Sequence, residues 1–330
     1  MSERLVVVGA SLGGVAALCR LCMHLPSDFP APICVVLHVG AHRSVLPEIL
    51  GRAGPLRVVH GAGGQVPKPG TIYIAPPDQH MRVDGEVIRL LRGPKEHHAR
   101  PAIDPLFRSA ARTYGARTIG VVLTGMLDDG TTGMQAIKQS GGTCVVQDPA
   151  EAEAPSMPSS VLRYVDVDHC VRLDDLAPLL SRLVREPFDG SPTMPSPNRT
   201  THEDDVSLGA GEVIEHLRAV GSPSTYSCPD CGGTLWQVAG AAPHRYVCHT
   251  GHAFTLESLR SAQSVATDAA LWSAIRALQE QRHLALQALD VAIHAGEDKR
   301  ASTLREKAAL LEANFQSLRK LVEQIDETVE

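Results

Sequence analysis

The chain has 330 residues, enough to bury a full core and, by length, to form two domains. Hydrophobic residues make up 43% and charged residues 21%, and a net charge of -6 argues against a nucleic-acid partner, whose phosphates call for a basic face. No apolar run approaches the roughly 20 residues of a membrane helix, and the opening MSERLVVVGA lacks the layout of a signal peptide, so the expected compartment is the cytoplasm, without membrane insertion.

From the N-terminus, short apolar runs alternate with helical patterns, the mark of a parallel α/β sheet covered on both faces. LVVVGA (5 to 10), ICVVLHV (33 to 39), TIYIAP (71 to 76), TIGVVLTG (118 to 125) and TCVVQD (143 to 148) read as buried strands. Helices fit at 14 to 25, 44 to 51, 104 to 114 and 130 to 140, and RVVHG (57 to 61) and EVIRLL (86 to 91) add short strands. The fold class is therefore α/β, a doubly wound, mostly parallel, Rossmann-like sheet over residues 1 to 186. Residues 187 to 205, PFDGSPTMPSPNRTTHEDD, are proline-rich and poor in apolar side chains, and a linker is expected over 187 to 225. A compact Cys/His segment follows at 226 to 254. The remainder, 255 to 330, carries two seams at alternating spacings of four and three: Leu271, Ile275, Leu278, Arg282, Ala285, Leu289 and Ala292, apolar but for Arg282, then Leu304, Ala308, Leu311, Phe315, Leu318, Val322 and Ile325. With HAGEDK (294 to 299) as a turn, they predict a helical hairpin, self-packed or open to a signalling partner.

The first strand runs into Gly9-Ala10-Ser11-Leu12-Gly13-Gly14. A dinucleotide cradle needs G-x-G-x-x-G and an acid at the end of the second strand; here the glycines miss that spacing and the strand ends at His38. A P-loop needs a lysine, and the turn has none. The turn does match G-x-S-x-G, which exposes a serine between strand and helix and aims helix N–H groups at developing negative charge. A serine nucleophile needs a base and an orienter for it. His38 lies at a strand's carboxyl end, and LTGMLDDGTTGM (123 to 134) places Asp128 and Asp129 at a third. Strand ends of one parallel sheet share an edge, so Ser, His and Asp are expected to meet there.

GASLGG, VLHVGAHRS, YIAPPDQHM, ARPAIDPLFRSAA and LTGMLDDGTTGMQAIKQSGG resemble, in order, the signatures of the chemotaxis protein-glutamate methylesterase (CheB) family, over nearly all of residues 4 to 182. The resemblance implies a serine hydrolase that demethylates glutamate methyl esters, and deamidates glutamines, on methylated chemoreceptor-type partners, with no cofactor for catalysis. It places Ser11 as nucleophile, His38 as base and Asp129 as the acid, with backbone N–H groups at Leu12 and Met126 as oxyanion donors. Asp128 falls at a variable position and is expected to cap or face solvent. The chain departs from the family in carrying Leu12 where Thr is usual. Family members commonly have an N-terminal receiver domain, whereas this chain opens almost on the first catalytic strand, and either constitutive activity or control by another route is expected. The competing reading is a non-catalytic scaffold that keeps the fold. Asp78, His80 and Arg100 are expected to line a cleft or stabilise loops, and His97-His98 to lie in a solvated loop.

CPDCGG (228 to 233) and YVCHTGHAF (246 to 254) form C-x2-C and C-x3-H knuckles, the pattern of a closed, structural Zn2+ site held by Cys228, Cys231, Cys248 and His252, with His249 the competitor for the fourth place. Cys19 and Cys22 also form C-x2-C, but on a helix with no second pair nearby, which points to packing. Knuckle and hairpin are expected to localise or regulate the enzyme, so that deleting 200 to 330 leaves intrinsic hydrolysis intact.

Overall fold

A computed structural model describes residues 4–186, Val206 and residues 212–329, with side chains through Gln324. In chain order the first unit begins with β1 (Leu5–Ala10), α1 (Gly14–His24), β2 (Ile33–Leu37), α2 (Leu46–Ala53), β3 (Arg57–His60), β4 (Thr71–Ile74), β5 (His80–Asp84) and β6 (Val87–Leu91). It continues through α3 (Ile103–Tyr114), β7 (Thr118–Val122), α4 (Thr131–Gln139), β8 (Thr143–Gln147), α5 (Ser156–Tyr164), β9 (His169–Val171) and α6 (Leu173–Leu183). Seven strands form one sheet in the order β3-β4-β2-β1-β7-β8-β9, every pair parallel. β5 and β6 form an antiparallel hairpin outside it.

The valine runs are continuous because helices cover both faces of the sheet, so both sides of each strand are apolar. Alternate residues of β1 show this: Val6, Val8 and Ala10 join one core with α1, α2 and α6, while Leu5 and Val7 join the other with α3, α4 and α5. Each such valine or leucine, taken out of water, contributes about 1.5–3 kcal/mol. Cys22 is buried in the first core, and burial pushes its thiol up to about 12, as a packing role requires. The chain leaves β1 in opposite directions: β2 lies on one side and β7 on the other. Their carboxyl ends border a switch point of the sheet, where α/β sites form.

Beyond residue 211 the sequence expectation needs correction. The segment read as linker is ordered from Glu212 onward, forming α7 (Val213–Val220) and β10 (Gly221–Ser227). β10 starts a four-stranded antiparallel sheet with β11 (Thr234–Val238), β12 (Arg245–Cys248) and β13 (Ala253–Thr255). VIEHLRAV is helical because Val213 and Leu217, one turn apart, share an apolar face, which packs on Val238, Val247 and Ala253. The rest of the expected linker, 187 to 205 and 207 to 211, lies outside the described residues. The Cys/His segment is also not a separate domain: residues Met1–Leu259 form one compact unit.

The second unit, Arg260–Glu330, is helical. α8 (Leu256–His294) enters it and α9 (Asp298–Val329) completes it, with Gly296 at positive φ in the turn between them. Ile275, Phe315 and Val322 pack with Leu271, Leu278 and Leu318, and Ala285 packs with Ala308 and Leu311. Arg282, the polar break in the first seam, pairs with Glu312 across the hairpin at 2.7 Å. Ile325 lies beyond the described side chains.

Candidate active site

Ser11 follows the last residue of β1, and its N–H donates to the Thr124 carbonyl at 2.9 Å, tying the turn to the segment after β7. The turn is tight enough to need its glycines. Gly13 has φ +75°, which favours glycine, and a Cβ on Gly125 would stand 2.1 Å from Met157 Sδ and 2.8 Å from Ser11 Cβ. His38 follows β2, and its N–H donates to the Ala10 carbonyl at 3.2 Å, which brings its ring beside Ser11. His38 Nδ1 lies 3.1 Å from Ser11 Oγ, and its Nε2 lies 2.7 Å from Asp129 Oδ2. The three strand ends deliver three side chains in one line of hydrogen bonds.

Asp129 is only 2% exposed, against 21% for His38. Its Oδ2 also accepts the Ile103 N–H at 2.7 Å, and its Oδ1 the Asp104 N–H at 3.0 Å, so the carboxylate sits on the N-terminus of α3. Helix N–H groups favour negative charge there. Burial opposes ionisation of Asp129, but the nearby His97 ring and the His38 hydrogen bond outweigh it and hold the carboxyl below its ordinary range. Leu12, next to Ser11 in the chain, and Met126, next to Gly125, are 54% and 52% exposed.

Residues 6–180 match the CheB methylesterase family. The crystal structure of the Thermotoga maritima CheB methylesterase catalytic domain is 34% identical, with a TM-score of 0.54, over 56% of this chain and 100% of that one. A Leptospira interrogans relative is 35% identical over 185 residues, 56% of this chain and 96% of the relative. The protein-glutamate methylesterase/protein-glutamine glutaminase 2 of Anaeromyxobacter dehalogenans is 39% identical over 54% of this chain and 53% of its own length. This chain belongs to the CheB methylesterase family. It spans nearly all of the Leptospira relative and about half the length of several others.

Other residues singled out in the sequence fall around this site in different ways. Asp78 is clamped by Arg100, with Nε and Nη2 at 2.8 and 2.5 Å, and by Arg92, and these hydrogen bonds lower its pKa. His80 is buried; its Nδ1 accepts the Ala102 N–H at 3.2 Å and its Nε2 donates to the Pro94 carbonyl at 2.8 Å, so it pins the loop before α3.

Two expectations fail here. Asp128 does not face solvent: it is 5% exposed and accepts the Thr255 hydroxyl at 2.7 Å. His97 does not lie in a solvated loop: its ring is buried, with Nε2 3.0 Å from Asp104 Oδ2 and 3.7 Å from Asp129 Oδ1. Both residues are covered by side chains from the segment after residue 250, a contact that no local pattern announces. His98, its neighbour, is half exposed and pairs with Asp230 at 2.9 Å.

The two Cys/His knuckles come together. Cys228, Cys231, Cys248 and His252 offer donor atoms all within 4.8 Å of one another. Cys231 Sγ lies 3.7 Å from Cys248 Sγ, while His252 Nδ1 lies 3.7 and 3.5 Å from the sulfurs of Cys228 and Cys248. A tetrahedral ion with Zn–S near 2.3 Å and Zn–N near 2.0–2.1 Å separates such donors by about 3.5–3.8 Å. The donor set therefore fits that ion. His249 packs instead over Gly233, whose added Cβ would meet its ring at 2.4 Å, and takes no part in the cluster.

Proposed function

We propose that the protein is a serine esterase that hydrolyses γ-glutamyl methyl esters on chemoreceptor-type signalling proteins, and glutamine amides by the same route. The observation that carries the reading is the hydrogen-bonded line Ser11–His38–Asp129 at the carboxyl edge of the sheet, at 3.1 and 2.7 Å. Family membership sets the reaction class, and the names of the relatives supply both activities.

In this reading the resting His38 ring carries its proton on Nε2, donated to ionised Asp129, which leaves Nδ1 free to accept. Ser11 Oγ attacks the ester carbonyl as its proton passes to Nδ1. The carbonyl oxygen becomes an oxyanion, for which the backbone N–H groups of Leu12 and Met126 are the assigned donors. The tetrahedral species collapses, the methoxy group leaves with the proton from Nδ1 as methanol, and Ser11 holds a glutamyl ester. Water then gives a proton to Nδ1 and attacks that ester, releasing glutamate and restoring Ser11. Asp129 holds the ring's tautomer and balances the imidazolium throughout. The exposed, apolar Leu12 and Met126 suit a methyl group better than a charged one. Replacing Thr by Leu12 leaves the backbone N–H, the only part of that residue the step uses.

We assign Cys228, Cys231, Cys248 and His252 as the residues that would hold a structural Zn2+, and four protein ligands would leave no open position for substrate. No helix among the described residues is long and apolar enough to cross a membrane, and we place the enzyme in the cytoplasm, meeting receptors at their soluble tails. A signalling partner on the C-terminal helices belongs to the same proposal.

The test is methanol release from membranes bearing a methylated receptor, comparing the wild-type chain with Ser11→Ala. Release by the wild type alone supports the reading. No release by either chain favours a scaffold that keeps the fold.

A further inference from the structure

The loop before α3 meets the C-terminal sheet directly. The His97 N–H donates to the Ala253 carbonyl at 2.8 Å, and Glu96 bridges Ala253 in parallel register. Gln135 of α4 also donates to the Ala242 carbonyl, at 2.5 Å. At the start of α8, Thr255 and Ser258 form a reciprocal cap: the Thr255 N–H donates to Ser258 Oγ at 2.9 Å, and the Ser258 N–H to Thr255 Oγ1 at 3.2 Å. Both hydroxyls have a further role. Thr255 Oγ1 donates to Asp128 Oδ1 at 2.7 Å, and Ser258 Oγ lies 3.2 Å from His97 Nδ1. His97 in turn bonds Asp104, which accepts Thr132 and the Gly133 N–H and lies beside Asp129. A continuous path thus runs from the Cys/His sheet to the residue that orients His38.

We propose that the Cys/His segment is a working part of the esterase, in which the Thr255–Ser258 cap seats His97 and Asp128, and His97 is the positioning residue that holds Asp129 in its working place and charge. The inference rests on the esterase reading above. It reverses the expectation that residues 200 to 330 can be removed without loss of intrinsic hydrolysis.

The charges explain why such a brace is needed. Asp104, Asp128 and Asp129 are buried side by side, and His97 lies among them. Arg108 and Arg245 stand behind Asp104, Glu96 is paired with Arg108, and His38 and His80 face Asp129. Burial opposes a charge on His97, but Asp129 and Asp104 outweigh it and raise the ring to about 9. As an imidazolium it donates from both nitrogens, to Ser258 and to Asp104. Without it, Asp129 loses the neighbouring positive charge that favours its ionised form and keeps the opposing charge of Asp104. Asp129 then ionises only at higher pH, which displaces the acid limb of activity upward.

The test uses the full, metal-loaded chain and a glutamyl methyl ester peptide. Ser258→Ala and Thr255→Val are expected to lower kcat about tenfold with little change in KM, the equivalent of one lost buried hydrogen bond. Thr255→Ser, which keeps the hydroxyl, restores the rate. His97→Gln moves the acid limb upward, and activity recovers as pH rises. Folded, metal-bound variants with wild-type kcat and an unmoved limb would overturn the inference while leaving the esterase reading intact. The ring nitrogens of His97, followed by 15N NMR in the wild type, decide the matter without substrate or variant. An imidazolium at pH 8 supports the brace, and a neutral ring at pH 7 refutes it.

Discussion

Asp129→Asn removes the charge from the site while keeping its shape. The native carboxylate accepts His38 Nε2 and the Ile103 N–H through Oδ2, both at 2.7 Å, and the Asp104 N–H through Oδ1 at 3.0 Å. An asparagine must turn its NH2 toward one of those sets. Facing Asp104, it leaves a buried donor unpaired, at a cost of about 1–3 kcal/mol. Facing Ile103 and His38, it leaves Ile103 unpaired and drives His38 to the tautomer protonated on Nδ1, which cannot take the Ser11 proton. In either orientation the imidazolium loses its counter-charge. Turnover is expected to fall about 10⁴-fold, equivalent to about 5 kcal/mol of transition-state stabilisation, with KM little changed. The assay is steady-state hydrolysis of a glutamyl methyl ester peptide, with thermal melting alongside. A folded Asp129→Asn chain within tenfold of the wild-type kcat would refute the assigned role of Asp129.

Other outcomes follow from the same geometry. Gly125→Ala puts a Cβ against Met157 Sδ and Ser11 Cβ and is expected to cost about 1–3 kcal/mol of stability as well as activity. Met157→Ala in that background relieves the first clash only, so denaturant titration should recover while turnover does not. Stripping the chain with a strong chelator should lower its melting temperature and release one Zn2+ per chain, measured by elemental analysis; an unchanged melting curve after complete metal loss would contradict a structural ion. His97 gains charge stabilisation on folding, its pKa rising from 6.5 to about 9. That contribution is complete below pH 6.5, fades as pH rises through about 9, and amounts to about 3 kcal/mol. Comparing wild type with His97→Gln by urea titration from pH 6 to 10 should show the difference shrinking across that window, and a constant difference would contradict the assignment.

The parallel sheet was legible because helices bury both faces of its strands, so LVVVGA and TIGVV read as unbroken apolar runs. The meeting of Ser11, His38 and Asp129 was legible for a related reason. Each follows a buried strand of one sheet, and parallel strands bring such positions to one edge. α5, β9 and the hairpin partner β5 gave weaker local signals. β9 has only three residues and no fully buried position, which leaves no periodicity to read. His97 was misread because its environment is built from distant chain. Ser258, 161 residues away, and Thr255, 127 residues from Asp128, close over a loop that looks solvent-facing in sequence. The same docking makes the Cys/His segment part of the first unit, although its proline-rich approach reads as a domain boundary.

The claim that most needs a direct answer is that Ser11 forms a covalent glutamyl intermediate. Acid-quenching the wild-type chain during turnover of a glutamyl methyl ester peptide, then mapping the adduct by peptide mass spectrometry, answers it. The expected result is an acyl group on Ser11, absent from Ser11→Ala and stripped by alkaline hydroxylamine. Methanol release with the adduct on another residue, or continued release by Ser11→Ala, would contradict it.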